Sequence, residues 1–331
     1  MDPSTVLILC ASLFLGWCAG SNDAASAVGT SLGAQTLTFR KAVAIVVIFS
    51  MLGFLLQGGA VAKTVGQGIL PKDFFENHWQ VVLAALLAVA AVTLVTVLLS
   101  LPISINHALV GGILGIGVIV GMTESFNYPL LVRIMACWLT TPVIAFTATI
   151  VIHQFVVKPL AGRMNWIDFT RTFRFLSVAS AAVVSYNLGA SAIGSILSLA
   201  ISSNTASQLS PVWGLSPVVL LGIGVALAFG FGVMTFSDRV VKTLSSRIAL
   251  LGPATAFSAQ FGAALTVYAF VLMGLPASIT HAVVGGIAGI GVLKKTKTLN
   301  WKTLQAIVFG WMLTPLLSAA LAVGIYKVIA V

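Results

Sequence analysis

The chain alternates long apolar runs with short polar connections. Ten such runs lie near residues 4–34, 40–62, 80–100, 102–121, 131–153, 175–203, 215–236, 255–274, 276–293 and 303–329. A membrane-crossing helix needs about 20 mostly apolar residues, and each run approaches or exceeds that length. Helical amphipathicity is weak in most of them, as expected for helices surrounded by lipid and by other helices. No stretch sustains the alternation of period two that a membrane barrel requires. The pattern predicts an all-α polytopic membrane protein of about ten spans or re-entrant segments.

Composition sharpens this class. The 331 residues are 59% hydrophobic and only 7% charged, against roughly 25% charged in soluble domains, and the mean hydropathy is +1.10. A net charge of +10 would point to nucleic acid in a soluble protein. Here the charges occupy gaps between apolar runs, so loop topology explains them and no nucleic-acid partner is expected. Membrane lipid is the expected surroundings. Cys10, Cys18 and Cys137 all lie in apolar runs without metal-ligand spacing and read as buried filler. The N-terminus lacks the basic region of a cleavable signal, so the first apolar segment is expected to stay.

The chain repeats itself. LPISINHALVGGILGIGV at 101–118 matches LPASITHAVVGGIAGIGV at 275–292, an offset of 174, and GSNDAASAVGTSL at 20–32 aligns with SYNLGASAIGSIL at 185–197, an offset of 165. WLTTP at 138–142 returns as WMLTP at 311–315. Two membrane repeats, 1–157 and 175–331, are expected to flank a cytoplasmic linker at 158–174. Five segments per repeat is an odd number, so the second repeat enters from the opposite side, giving inverted topology.

Loop charge supports the count. With strict alternation, one side collects Arg40, Lys41, Lys158, Arg163, Arg171, Arg174, Arg239, Lys242, Arg247, Lys294, Lys295, Lys297 and Lys302, and the other only Lys63, Lys72, Arg133 and Lys327. The basic side is expected to be cytoplasmic, with both termini extracytoplasmic and the protein in the cell membrane. Segments 80–121 and 255–293 could each instead be a re-entrant hairpin, which leaves parity and charge count unchanged. The stretch 70–79 reads as a short interfacial helix with Phe74, Phe75 and Trp79 at headgroup level, and Trp166, Trp213 and Trp301 read as interfacial anchors.

Of seven carboxylates only Asp23 falls inside an apolar run. A charge there costs at least about 2.5–3.5 kcal/mol on insertion scales, so it needs a cation, a proton or a helix end beside it. Its setting, GSND followed by AASAVG, lets a helix break and free backbone groups to line a cavity. Freed carbonyls with Asp oxygens suit a hard cation, whereas freed N–H groups suit an anion. The bland alternative is that the small residues only permit close packing.

A second paired motif is Pro102, Ser104, Asn106, His107, repeated as Pro276, Ser278, Thr280, His281. Proline suits a first helical turn, and serine can cap it. A half-helix that starts this way presents a positive dipole end to an oxyanion. His107 and His281 recur at equivalent positions, which favours a role for them over the structural role expected of His153. There is no phosphate loop, nucleophile elbow or HExxH, so an enzyme is not expected.

Gly20-Ser21-Asn22-Asp23 with Ala25, Ser26, Ala27 and Gly29 resembles the G-x-N-D-x-x-N-A-x-G signature of the inorganic phosphate transporter family, which includes sulfate permease-like members. Leu275 to His281 resembles that family's L-P-x-S-x-T-H, as does Leu101 to His107 with Asn106 for Thr. The resemblance spans nearly the whole chain. It implies a homodimeric inverted-repeat symporter that imports phosphate with Na⁺ or H⁺ by alternating access, with no other cofactor. Carried over by residue, Asn22, Asp23 and Asn187 are Na⁺ candidates, and Ser26, Ser191, Ser104, Asn106, His107, Ser278, Thr280 and His281 are anion-binding candidates.

Two departures bear on the ions. Leu188 stands where the second motif has an acidic residue, and Ser26 and Ser191 stand where it has Asn. Fewer fixed negative charges suit fewer cotransported cations, or an anion without a proton, which keeps sulfate as an alternative. A passive anion channel fits less well, because the polar residues gather in short clusters instead of lining a continuous path.

Overall fold

The computed structural model describes residues 2–203, 205, 208–211, 214–294 and 299–330. Trp213, Lys295 and Lys297 lie outside the described residues. These residues form helices joined by short connections, with no strand element among them. Ten apolar helices coincide with the ten expected runs. They are α1 (Pro3–Gly33), α2 (Phe39–Gln67), α3 (Trp79–Leu98), α4 (Ile105–Ile119), α5 (Tyr128–Ala161), α6 (Trp166–Ser202), α7 (Pro217–Phe236), α8 (Pro253–Leu272), α9 (Ile279–Leu293) and α10 (Trp301–Ile329). Between α5 and α6 only residues 162–165 are outside these helices, so most of the 158–174 stretch is helical. Asp238–Lys242 and Thr243–Arg247 prolong the course of α7.

Inverted topology is visible in which helices run parallel. Along α1, Gly16 abuts Val225, Gly20 abuts Phe229 and Gly33 abuts Ser245, so α1 and the α7 arm ascend together. Along α2, Gly53 abuts Tyr186, Gly58 abuts Gly194 and Gly66 abuts Ser202, so α2 and α6 also ascend together. The repeat makes α6 the counterpart of α1. A direct repeat would place α1 parallel to α6 and opposed to α7, and the observed pairing is the reverse. The same exchange joins the later elements. Gly111 and Gly115 of α4 lie on Pro315 and Ala319 of α10, while Gly285 and Gly289 of α9 lie on Pro142 and Phe146 of α5.

The open question of the hairpins is answered by their ends. Asn127, just beyond α4, donates its backbone N–H to the carbonyl of Ile69, just before α3 (3.2 Å). Asn300, beyond α9, donates to Ile248, before α8 (3.0 Å). Each helix pair therefore leaves the bundle where it entered: α3–α4 and α8–α9 are re-entrant hairpins. The 15-residue arms α4 and α9 reach only about 22 Å at 1.5 Å per residue, short of a hydrocarbon core of about 30 Å. Among the described residues eight helices are long and apolar enough to cross, and two of these, α3 and α8, are hairpin arms.

Four sequence expectations change in detail. Cys10 is exposed because its face of α1 points away from the bundle, whereas Cys18 and Cys137 are buried as expected. The Gly20–Ala24 segment does not break its helix; it is a π turn within a continuous α1, and Gly189–Ile193 is its counterpart in α6. One wide turn leaves backbone carbonyls short of their usual partner without ending the helix. Phe74 and Phe75, on the short helix Lys72–Asn77, are buried instead of facing headgroups, because they fold inward under the first hairpin. Ser278 caps α9 by accepting the His281 N–H (3.2 Å), whereas Ser104 makes no cap on α4. The anchors Trp166 and Trp301 are exposed, as expected.

Candidate functional site

The two hairpin tips, 99–104 and 273–278, meet beside the two π turns. Breaking the helix at Pro102 and Pro276 frees backbone N–H groups at the starts of α4 and α9, deep among protein atoms, where irregular backbone is tolerated only if it is paired or lines a cavity. Asn106, in the first turn of α4, donates to the Ala277 carbonyl of the opposite tip (2.9 Å) and to Ser191 Oγ on α6 (2.9 Å). Ser191 itself donates to Ala277 (3.0 Å). In the mirror position, Thr280 of α9 lies 3.1 Å from Ser26 Oγ on α1 and donates to Asp23 Oδ1 at 3.3 Å. The sequence-derived candidates Asp23, Ser26, Asn106, Ser191 and Thr280 are thus drawn into two equivalent clusters.

These clusters are buried and incompletely paired. Asp23, Ser26, Ser104, Asn106, Ser191, Ser278 and Thr280 are all buried. Ser104 Oγ and Asn106 Oδ1 have no hydrogen-bond partner. An unpaired buried polar atom costs about 1–3 kcal/mol, and both such atoms lie at the start of α4 where it meets the opposite tip. Asp23 meets no Lys, Arg or His salt-bridge partner among the described residues; the Ile105 backbone N–H at the start of α4 and the Thr280 hydroxyl are what face this carboxyl in the structure. Its repeat counterpart, Leu188, is an equally buried hydrocarbon.

The asparagines before these positions act differently. Asn22 binds the first hairpin, donating to Leu101 O (3.1 Å) and accepting from Ile103 N–H (3.0 Å). Asn187 donates instead to Ala264 of α8 (2.8 Å), and its Oδ1 is unpartnered.

His107 and His281 stand edge to face, ring centroids 4.4 Å apart, each against an indole: Trp138 at 3.9 Å from His107 and Trp311 at 3.7 Å from His281. His281 Nδ1 lies 3.2 Å from the Trp138 carbonyl. A carbonyl only accepts, so that nitrogen carries the proton and the neutral ring leaves an acceptor at Nε2. Both Nε2 atoms are buried without partners. The rings line a cleft of about 460 Å³ with Met135, Leu139, Val308 and Met312, which faces the outside of the bundle. His153 bonds Ser258 (3.0 Å) away from the tips.

Trp138 and Trp311 also hold the hairpin tips, and motif reasoning passed over them. Their indoles donate to the carbonyls of Pro276 and Pro102, both at 3.0 Å. The recurrence of WLTTP as WMLTP was the available signal.

The sequence profile of the phosphate transporter family matches residues 19–168 and 161–322. A probable low-affinity inorganic phosphate transporter of Bacillus subtilis is 28% identical, with 98% of this chain and 97% of that protein aligned. A putative phosphate permease of Methanocaldococcus jannaschii is 29% identical over 98% and 97% of the two chains. Among solved structures, one titled the sodium-dependent phosphate transporter superposes with a TM-score of 0.84 over 99% of each chain at 21% identity, a likeness of fold.

Proposed function

Because this chain belongs to the phosphate transporter family, we propose that it imports inorganic phosphate through the membrane, coupled to Na⁺ and working by alternating access. The observation that carries this reading is the convergence of two broken hairpin tips on Asp23, Ser26 and Ser191, with Ser104 Oγ and Asn106 Oδ1 left unpaired. The half-helix starts and the uncommitted hydroxyl hydrogens of Ser104 and Ser278 supply donors to the anion, and Ser26, Ser191 and Thr280, whose hydroxyls bond protein oxygens in this structure, would turn to it on binding. Asp23, with Asn22 behind it, supplies the anionic oxygen that a hard cation requires. The sodium dependence named for the structural neighbour favours Na⁺ over H⁺. Asn187 lacks an adjacent carboxylate and is the weaker cation candidate.

Phosphate is favoured over sulfate by the unpaired acceptors. Asn106 has both amide hydrogens committed, so what it offers a guest is an oxygen. His107 and His281 likewise present bare Nε2 atoms at the rear of the tips. Phosphate near neutral pH keeps at least one proton to donate, and sulfate keeps none. The basic end of the bundle is read as cytoplasmic, with both termini extracytoplasmic in the cell membrane, and the protein as a homodimer.

The test is uptake of labelled phosphate into liposomes carrying the purified protein, with an inward Na⁺ gradient and excess unlabelled sulfate. Saturable, gradient-driven uptake indifferent to sulfate is expected. Suppression by sulfate would reassign the substrate, and uptake that ignores the gradient would indicate a channel.

A further inference from the structure

The two repeats carry the same parts in two different states. In the first, the Asn22 side chain grips both polar groups of the hairpin break, the carbonyl of Leu101 (3.1 Å) and the N–H of Ile103 (3.0 Å). The corresponding groups of the second break are the Leu275 carbonyl and the Ala277 N–H, and the corresponding side chain is Asn187. There the grip is absent. Ala277 N–H donates to the Leu275 carbonyl itself (2.8 Å), so the tip closes on its own backbone. Asn187 reaches instead along the hairpin arm to the Ala264 carbonyl (2.8 Å), and its Oδ1, fully buried, accepts from nothing. Each alternative keeps the backbone of its tip paired, as buried peptide groups must be, so the exchange leaves the tip paired in either arrangement.

We propose that Asn22 and Asn187 are alternating clips: each holds the break of its own repeat's hairpin in one access state and releases it in the other. The structure shows the state with the first clip closed and the second open. In the opposite state Asn187 leaves Ala264 and takes Leu275 O and Ala277 N–H, while Asn22 lets go and the first tip closes on itself. Inverted repeats relate these two arrangements by a pseudo-two-fold axis in the membrane plane, so swapping them exchanges the face to which the site opens. The orphan Oδ1 of Asn187 is the acceptor left waiting by the open clip. Asn22 and Asn187 are on this view positioning residues for the tips. The proposal rests on the carrier reading above, since a channel has no second access state to clip.

The experiment reads backbone hydrogen exchange of the full-length protein in detergent or nanodiscs, following peptides that cover 99–105 and 273–279, because local opening is reported residue by residue whether or not transport is measured. In Asn22→Ala, exchange at 99–105 rises by about tenfold, as for a lost pair of buried hydrogen bonds, and exchange at 273–279 falls as the second clip closes. In Asn187→Ala, the molecule is held in the observed state: 99–105 becomes more protected, and phosphate counterflow in liposomes drops. A change at 99–105 in Asn22→Ala with none at 273–279 would make the contact a static tie and overturn the proposal. Should Asn22→Ala not fold, Asn187→Ala decides alone, and wild-type exchange with wild-type counterflow in it overturns the proposal equally. Reciprocal exchange without phosphate transport would leave the clips standing and sink only the substrate assignment.

Discussion

Trp311 donates its indole N–H to the carbonyl of Pro102 at 3.0 Å, and the last helix of the second repeat thereby holds the hairpin tip of the first. Trp138 returns the arrangement on Pro276. Each tip is thus pinned from the opposite repeat, which ties the two halves of the site to one another. Replacing either indole by phenyl keeps most of the packing and leaves a proline carbonyl unpaired. Trp311→Phe and Trp138→Phe should each destabilise the protein by about 1–3 kcal/mol, read as a lower thermal midpoint in detergent. Unchanged midpoints in both would show that the pins carry no weight.

The parallel pairs require backbone contact at two glycines. A Cβ on Gly20 would lie 2.1 Å from the Phe229 carbonyl oxygen, and one on Gly189 1.7 Å from that of Ser50. Neither neighbour is a flexible side chain that can swing away. Gly20→Val and Gly189→Val should therefore cost at least about 1–3 kcal/mol from overpacking and yield aggregated or unfolded protein by size-exclusion chromatography. Gly324→Ala, where the added carbon meets open space, serves as the tolerated control. Monodisperse Gly20→Val would mean that α1 and α7 are further apart than described.

Asp23→Asn keeps shape and hydrogen-bonding capacity toward Thr280 and removes the negative charge. Gradient-driven phosphate uptake should fall by at least about tenfold, some 1.4 kcal/mol of barrier, while the protein still inserts and purifies as a single species. Full Na⁺-driven uptake in that variant would remove Asp23 from the coupling machinery.

The asymmetry between the clusters makes a separate prediction. Leu188→Asp alone places an unpartnered acid in an apolar slot at a cost of about 2.5–3.5 kcal/mol. Adding Asn106→Thr recreates opposite it the hydroxyl that Thr280 offers Asp23. The double variant should recover stability relative to Leu188→Asp and show a steeper dependence of uptake on Na⁺ concentration than the parent. Equal steepness would argue that the acidic position does not set cation number.

Much of this arrangement is legible in the sequence, because hydrophobic length and repetition are properties of single segments. The ten runs became ten helices, and the near-identity of 101–118 with 275–292 marked the two repeats whose inverted relation the exchanged pairing of α4 with α10 and α9 with α5 displays. Whether the hairpins cross could not be read. Buried arms are as apolar as lipid-facing ones, and only the contacts of Asn127 with Ile69 and Asn300 with Ile248 show that each returns to its own side. The π turns at Gly20 and Gly189 leave no signature beyond small residues, which also permit close packing. Leu188 and Asn106 were each visible as departures, but their nearness is not local information. Ser191, one turn from Leu188 and bonded to Asn106, joins them in space. Trp138 and Trp311 were passed over because an apolar run does not show where an indole N–H finds its partner.

The most direct test of the central claim is whether a Na⁺ gradient drives phosphate uphill. Liposomes carrying the protein would be loaded with a low concentration of labelled phosphate, given the same concentration outside, and exposed to an inward Na⁺ gradient. Accumulation above the outside level, lost when a Na⁺ ionophore collapses the gradient, is the expected result. Phosphate that only equilibrates, with or without the gradient, would contradict coupled transport at this site.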